Sequence, residues 1–291
     1  MLGILAALGS SSLRAILNIL DRKIFGHKHA GVISVNLVNN LLPFVIVLPI
    51  AAFLAGSDHI VEALSDLRNL WLAGLIQIVA YAFSLAFRDL TVPQVIVFSK
   101  LPDLLIPIGI FAFSRIWSSA DFIFSLLTTL ICLPLLFHSR ERIRFSTKQW
   151  WVLCFLMSTI VIRGIFSGYL VHGQGENYSV WLVITVATLW WRFIWTLFVM
   201  IGVMVIRRQM VWILPRIPLL LGRAGITLAV QALYVFALAI GPVTAVWPII
   251  NSTALFSTVL SSIILREHPA RREVVAITGI IILTLARMFY E

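Results

Sequence analysis

The chain has 291 residues with a formal net charge of +10, and 60% of them are hydrophobic while only 12% are charged. An ordinary soluble domain is about 25% charged, so this composition excludes a soluble fold and predicts that much apolar surface faces lipid. The positive charge does not indicate nucleic-acid binding, because the basic residues lie between apolar runs, as they do in loops that flank membrane spans.

The apolar residues are grouped into runs of membrane-spanning length. A helix that crosses the hydrocarbon core needs about 20 mostly apolar residues. The ten runs that meet this requirement are, in chain order, 2–21, 32–55, 69–87, 92–113, 119–138, 150–171, 179–205, 218–240, 243–265 and 272–290. The longest segments between them are predicted loops, at 56–68, 139–149 and 206–217. The sequence therefore predicts an all-α membrane protein with ten transmembrane helices.

The sequence also repeats itself at a spacing of 153 residues. Residues 81–99 align without gaps to 234–252 and share seven identities in 19 positions, among them Tyr81 with Tyr234. The match covers the end of the third span and the start of the fourth in each half. Because each half has an odd number of spans, the two halves are expected to be inverted in the membrane, as in many secondary transporters. The predicted units are a first five-helix repeat, a connecting loop and a second five-helix repeat, at 1–138, 139–149 and 150–291.

This arrangement resembles the drug/metabolite transporter superfamily, in particular its EamA-type branch. The resemblance covers nearly the whole chain and includes the Tyr/Phe/Leu/Ala segment that ends the third span and Pro102 within the fourth span. Arg266-Glu267 ends the ninth span, where the family usually has Gly-Glu, whereas Ser114-Arg115 replaces the acidic signature of the first half. The resemblance implies a ten-span transporter of small molecules in the bacterial inner (plasma) membrane, without a cofactor.

The distribution of basic residues predicts which side of the membrane each loop occupies. The odd-numbered loops hold 14 Lys and Arg residues, while the even-numbered loops and the termini hold 3. Cytoplasmic loops collect Lys and Arg, so this count places both termini outside the cytoplasm. Related ten-span transporters are usually described with both termini inside, and we favour the count because it comes from this sequence.

Charged residues also occur within the apolar runs. The basic ones are Arg14, Lys100, Arg163, Arg192 and Arg223. Asp103 is the obvious acidic partner for them within the apolar runs. A charge at the bilayer centre costs at least about 2.5–3.5 kcal/mol, so each side chain must face a wet cavity, form an ion pair or reach a headgroup. Arg223 lies near a helix end, and we expect it to extend to a lipid headgroup.

Lys100 and Asp103 lie on one face of the fourth span, because they are three residues apart in a helix. They are either a stabilising ion pair or part of a site for substrate or protons. Pro102 and Pro107 bracket Asp103. Proline frees backbone carbonyl groups in a helix, and we expect a polar cavity to use them.

We expect the charged residues of several spans to form one polar cavity near the midplane. The predicted substrate-binding residues are Lys100, Asp103, Arg163, Arg192, Arg14, Tyr81, Tyr234, Trp247 and Asn251. For the aromatic and amide members, hydrogen bonding between helices is an equally good interpretation. The sequence predicts no catalytic residues and no metal site, because the two cysteines, Cys132 and Cys154, lie in apolar runs and no metal-binding spacing is present.

These features together predict a secondary transporter that moves a small polar, anionic metabolite by alternating access. The expected partners are this solute and the lipid bilayer, with proton or counter-solute coupling through Asp103 and with no nucleic acid. The alternatives are an exporter of amino acids or amphipathic drugs, and a membrane scaffold or receptor subunit that transports nothing. An intramembrane enzyme is the weakest alternative, because no paired catalytic set lies at membrane depth.

Overall fold

The computed structural model describes residues 2–25, 31–115, 117–133, 146–171, 178–207, 217–240, 253–267 and 269–289, and all regular structure in these ranges is helical. The helices are α1 Leu2–Phe25, α2 Val32–Ala55, α3 Ser57–Ser65, α4 Leu67–Asp89, α5 Val92–Lys100, α6 Leu105–Ser114, α7 Ser119–Cys132, α8 Thr147–Val171, α9 Tyr178–Arg207, α10 Ile217–Ile240, α11 Thr253–Leu260 and α12 Arg271–Phe289. A 3₁₀ turn, Leu101–Leu104, joins α5 to α6, and a π-helical turn, Ser261–Leu265, extends α11.

Six helices in the described ranges are long and apolar enough to cross a membrane. They are Val32–Ala55, Leu67–Asp89, Val92–Phe113, Thr147–Phe166, Val180–Ile206 and Ile217–Ala237. The third of these is the continuous segment formed by α5, the 3₁₀ turn and α6. Their outer surfaces are apolar, and large side chains such as Phe53 and Ile206 are 89% and 82% exposed. Contiguous apolar surface of this kind is rare on soluble proteins, so the chain is an integral membrane protein, as the composition predicts.

The segment 56–68, predicted as a loop, instead contains the short helix α3. Its apolar residue Ile60 is buried in a cluster with Phe44 of α2 and Val183 of α9, while Asp58 and Glu62 stay exposed. A nine-residue helix has too few apolar positions to form a span-length run, so the span criterion could not detect it. The prediction of a loop was therefore wrong here.

Asp66 separates α3 from α4 and caps the second of these helices. Its carboxylate accepts the backbone N–H of Arg68 at 2.8 Å and pairs with the Arg68 guanidinium at 2.7 Å. A carboxylate at this position satisfies a backbone donor that the helix itself leaves open. The hydrogen bonds from Arg68 also hold the pKa of the Asp66 carboxyl below its usual value.

Pro102 interrupts the helical hydrogen bonds between α5 and α6, and the 3₁₀ turn lies at this point. Thr129 of α7 donates its hydroxyl to the carbonyl of Leu101 at 3.1 Å and accepts the N–H of Leu104 at 3.3 Å. A neighbouring helix thus pairs backbone groups at the proline break. Pro102 itself has no N–H to donate to the carbonyl of Phe98, so the expectation that the cavity uses freed carbonyl groups stays a prediction.

The longest helix contacts join the first half of the sequence to the second. α1 lies along α10, α4 along α8, and α2 along α9. The contact of α6 with α8 depends on two glycines, since a Cβ atom at Gly109 would overlap the side chain of Ile165, and one at Gly164 would lie 2.7 Å from Cδ1 of Ile106. Small residues allow membrane helices to approach this closely.

A group of polar side chains ties the helix ends near the Lys- and Arg-rich loops. Nε of Arg22 on α1 lies 2.7 Å from Oε1 of Glu267, which follows the π-helical turn. The other oxygen of Glu267 accepts the N–H of Val92, the first residue of α5, at 3.0 Å. Nζ of Lys148 on α8 lies 3.1 Å from the carboxylate of Asp89, the last residue of α4. We call Arg22, Glu267, Asp89 and Lys148 the polar end cluster.

Candidate binding site

A cavity of about 210 Å³ lies between the helices and is lined by both halves of the sequence. Its walls come from α1, α2, α4, α5 with the 3₁₀ turn and α6, and from α8, α9, α10 and α11. Six of the predicted binding residues line it, namely Arg14, Lys100, Asp103, Arg163, Arg192 and Tyr234. Tyr81 is not part of the lining, and Trp247 and Asn251 lie outside the described residues.

Arg223 also lines the cavity, and its position contradicts the prediction that it reaches a headgroup. Nε of Arg223 donates a hydrogen bond to Oδ1 of Asp21, and both side chains are buried. The acid was missed because Asp21 ends the first apolar run, next to the basic residues of the following loop. The helix in fact continues to Phe25, so Asp21 lies inside it.

A second buried carboxylate therefore joins Asp103 in the cavity wall. The sequence did contain a signal for it, because Asp21 follows Arg14 by seven residues, or two helical turns. Asn18 lies between them on the same face and lines the cavity too. A search for charged and amide side chains on one face of the first span would have identified all three.

Lys100 and Asp103 form the second ion pair of the cavity. Nζ of Lys100 lies 3.8 Å from Oδ2 of Asp103, with both side chains mostly buried. Lys100 ends α5, and Asp103 lies in the 3₁₀ turn, so the proline break presents the two side chains toward the same space. The prediction that they share one face is confirmed by this contact.

Two arginines from different halves meet at one aromatic ring. The Cζ atoms of Arg14 and Arg163 lie 5.7 Å and 5.6 Å from the ring centroid of Tyr234. A guanidinium at this distance is attracted to the ring by the charge distribution of the π system. In the described part of the chain, neither arginine lies within ion-pair distance of a carboxylate. The ring therefore positions both cations but neutralises neither.

Arg192 is held by neutral polar groups. Its Nε donates to Oε1 of Gln77 at 3.1 Å, and Asn40 donates to the same oxygen at 2.9 Å. Asn40 also donates to the hydroxyl of Thr196 at 3.2 Å, and Tyr81 lies beside Gln77 and Thr196. This network fixes the guanidinium at the cavity wall without supplying a negative charge.

The described lining residues thus carry an excess of positive charge. Five cations are present, Arg14, Lys100, Arg163, Arg192 and Arg223, against two anions, Asp21 and Asp103. Two of the cations are in ion pairs, so five minus two leaves three formal positive charges on Arg14, Arg163 and Arg192. Uncompensated charge is costly to bury, and a ligand of opposite charge would relieve this cost.

Several buried donor atoms of the lining also lack a hydrogen-bond acceptor among the described residues. They are Nε of Arg163, Nη1 of Arg223 and Nε2 of Gln231. Leaving a buried donor unpaired costs about 1–3 kcal/mol. Arg223 and Gln231 are only 3% and 5% exposed, so their donor groups cannot form hydrogen bonds to lipid headgroups or bulk water. All three residues belong to the cavity lining, so the cavity wall retains donor groups without acceptors among the described residues.

The described residues show no arrangement that favours a metal. They contain no group of three or more His, Cys, Asp or Glu side chains close enough to hold an ion. Cys132 is buried and Cys154 is exposed, and both thiols are free. The described lining of the cavity offers cationic side chains and hydrogen-bond donors.

Comparison with known proteins identifies a fold but no family. No protein-family profile matches the chain, and no curated protein matches it. A solved crystal structure of a protein superposes on it with a TM-score of 0.65 and 13% sequence identity, covering 99% of this chain and 96% of that one. At this identity the similarity shows a shared fold alone, and the shared fold includes nearly the whole length of both chains.

Proposed function

We propose that this protein is a secondary transporter of the drug/metabolite transporter type, which moves a small anionic metabolite across a membrane by alternating access. The observation that carries the proposal is the cavity between the two halves, where Arg192 is buried and Arg14 and Arg163 are half-buried, all three without carboxylate partners among the described residues. A purely structural role would be expected to pair them, because buried ionic groups stabilise a fold only when their charges are compensated.

We further propose ten spans in two inverted five-helix repeats, with α3 lying outside the set. In this scheme α1, α2, α4, α5 with α6, and α7 are spans 1–5, and α8–α12 are spans 6–10. The proposed symmetry exchanges each span with the span five positions away. It converts the pair α1–α10, spans 1 and 8, into the pair α8–α4, spans 6 and 3, and both pairs pack closely. The pair α2–α9 is converted into itself, as a two-fold axis requires.

The ends of spans 4 and 9 give independent support for the repeat. Arg115 follows α6 with a φ angle of 60°, and Arg266 follows the π-helical turn with a φ angle of 56°. They are the two non-glycine residues with positive φ in the described ranges. This backbone conformation is uncommon for a residue with a side chain. It occurs at the ends of both spans, two residues away from the 153-residue register, and this similarity supports a duplicated unit.

Alternating access would require the polar end cluster to break and re-form. This cluster joins α1 to the end of span 9, and α4 to α8, so it links the two proposed repeats at one end of the molecule. Its helix ends adjoin the loops richest in Lys and Arg, which the charge distribution places in the cytoplasm. The structure then corresponds to a state in which the repeats are joined on the cytoplasmic side.

The proposed solute is anionic, and proton or counter-solute coupling is assigned to a carboxylate of the cavity. Asp103 remains the candidate, because its pairing with Lys100 at 3.8 Å is looser than the hydrogen-bonded contact of Asp21 with Arg223. An exporter of amphipathic cations is disfavoured by the three unpaired positive charges. By the family resemblance, we propose the bacterial inner membrane as the location and propose no enzymatic activity.

Uptake into proteoliposomes tests the proposal. The purified protein should accumulate at least one small labelled anion above the level of protein-free liposomes, and a labelled organic cation of similar size should not accumulate. Binding can be found first by thermal stabilisation, since a ligand at 100 times its Kd adds about 2.7 kcal/mol to the stability. Stabilisation by an anion without uptake or exchange of that anion would instead indicate a receptor.

A further inference from the structure

The number of unpaired arginines bears on how many charges the solute carries. Arg14 and Arg163 repel each other, and Arg192 is close enough to be repelled by both. One negative charge placed among these three guanidinium groups leaves a net charge of +2, whereas two negative charges leave +1. The site is therefore still positive after the first negative charge is bound, so it also attracts a second charge on the same solute.

The hydrogen-bonding groups indicate the same type of solute. A guanidinium presents five N–H donors and binds carboxylate or phosphate oxygens in pairs. Around the cavity, Nε of Arg163, Nη1 of Arg223 and Nε2 of Gln231 have no acceptor among the described residues. A single carboxylate has two oxygens, while a phosphate monoester or a dicarboxylate offers three or four charged ones. The larger number matches this donor set better.

The size of the cavity favours a small solute. Its volume of about 210 Å³ is below the roughly 300–1,000 Å³ of pockets for drug-sized ligands. Nucleotides, sugar nucleotides and lipids are larger than this volume. We therefore expect the solute to carry its charges on a small framework.

We propose that the cavity selects a small dianion, a phosphate monoester or a short dicarboxylate, held by Arg14, Arg163 and Arg192. Arg14 and Arg163 both contact the ring of Tyr234, at 5.7 Å and 5.6 Å from its centroid, and both line the same small cavity, so a solute in that cavity lies next to both guanidinium groups. The inference rests on the proposed function, because it names the substrate class of the same site.

Two series of probes with equal shape and different charge test the proposal. Sulfate, methanesulfonate and dimethyl sulfone carry two, one and no negative charges on a tetrahedral framework. Succinate, succinamate and succinamide do the same on a four-carbon chain at neutral pH. Thermal melting of the purified protein at constant ionic strength gives a Kd for each probe. We expect the dianion of at least one series to bind about tenfold or more tightly than its monoanion, a difference of about 1.4 kcal/mol.

Variants connect this preference to the arginines. Arg163→Gln and Arg14→Gln each remove one unpaired charge, so each should lower the ratio of dianion to monoanion affinity by about threefold or more, on the order of 0.7 kcal/mol. Arg68→Gln is the matched control, because Arg68 is on α4 outside the cavity lining, and it should leave the ratio unchanged. Using two variants keeps the test valid if one of them fails to fold.

The outcomes separate this inference from the proposed function. Tighter binding of the sulfate series assigns a phosphate-like group, and tighter binding of the succinate series assigns a dicarboxylate. Equal affinity for monoanion and dianion, or a ratio unchanged in both variants, overturns the dianion assignment, and monoanion flux in proteoliposomes would then leave the transporter proposal standing. Preferential dianion binding without any flux supports the assignment and overturns transport. If no anion of either series binds, the dianion assignment is wrong.

Discussion

The polar end cluster provides a quantitative test of the proposed conformational change. The carboxylate of Glu267 accepts from Arg22 at 2.7 Å and from the N–H of Val92 at 3.0 Å, with the Glu267 side chain 14% exposed. Glu267→Gln keeps the size and one acceptor oxygen but removes the charge. Hydrogen bonds to charged groups contribute about 1.5–3 kcal/mol and neutral ones about 0.5–1.5. After allowance for partial exposure, the joined state should lose about 1–2 kcal/mol.

This loss should appear as a shift between two access states. A change of about 1–2 kcal/mol alters an equilibrium by roughly 5- to 30-fold. Ser99 lines the cavity and is mostly buried, so Ser99→Cys in a background of Cys132→Ala and Cys154→Ser reports access. In Glu267→Gln, a membrane-impermeant thiol reagent added on the side of the Lys- and Arg-rich loops should label this cysteine faster by the same factor.

Two comparisons make the result decisive. Arg68→Gln breaks an exposed ion pair on α4 outside the polar end cluster and should leave the labelling rate unchanged. An unchanged rate in Glu267→Gln, or faster labelling only from the opposite side, would refute the idea that the cluster closes this end. Labelling in intact cells also fixes the orientation, and access to the Lys- and Arg-rich side from outside would reverse the topology inferred from charge.

Three further predictions concern stability, and melting of the purified variants measures each of them. Asp21→Asn should cost about 3–5 kcal/mol because it leaves buried Arg223 unpaired, and a cost below about 1 kcal/mol would show that the pair is not buried in the membrane. Gly109→Ala should cost about 1–3 kcal/mol through overpacking. Gly222→Ala is the control and should be neutral or stabilising, because a Cβ atom there meets nothing within 4 Å. Equal effects of the two substitutions would contradict the close contact of α6 with α8. Asp66→Ala should cost about 0.5–2 kcal/mol by loss of a helix cap. Because the pKa of Asp66 is lowered in the folded protein, this stabilisation should be present above the ordinary carboxyl pKa of about 3.9 and lost as pH falls through the lowered value. A cost of the mutation that is unchanged in acid would contradict the capping role of the carboxylate.

Helix positions could be predicted closely from the sequence, because lipid imposes a simple rule on apolar length. The predicted run 32–55 has the same bounds as α2, and the run 179–205 differs from α9 by one residue at its start and two at its end. The rule fails for α3, which is too short to span and is stabilised by contacts of Ile60 with α2 and α9. Such contacts depend on residues distant in sequence.

The site was predictable where the interaction is local. Lys100 and Asp103 are three residues apart, so helical geometry alone brings their side chains together. Arg223 and Asp21 are separated by 202 residues, and no local pattern links them. The meeting of Arg14 and Arg163 at Tyr234 is likewise a consequence of how α1, α8 and α10 pack. The cost of buried charge predicted that these residues share a cavity, but not which of them pair.

Counterflow in proteoliposomes is the measurement that tests the central claim most directly. Vesicles loaded with unlabelled sulfate or succinate should take up the labelled anion transiently, because a secondary transporter exchanges its substrate across the membrane. Arg163→Gln should reduce the initial rate about tenfold or more, equivalent to at least about 1.4 kcal/mol, while Arg68→Gln keeps the rate of the original protein. Absence of counterflow with both anions in the original protein, or an unchanged rate in Arg163→Gln, would contradict the account.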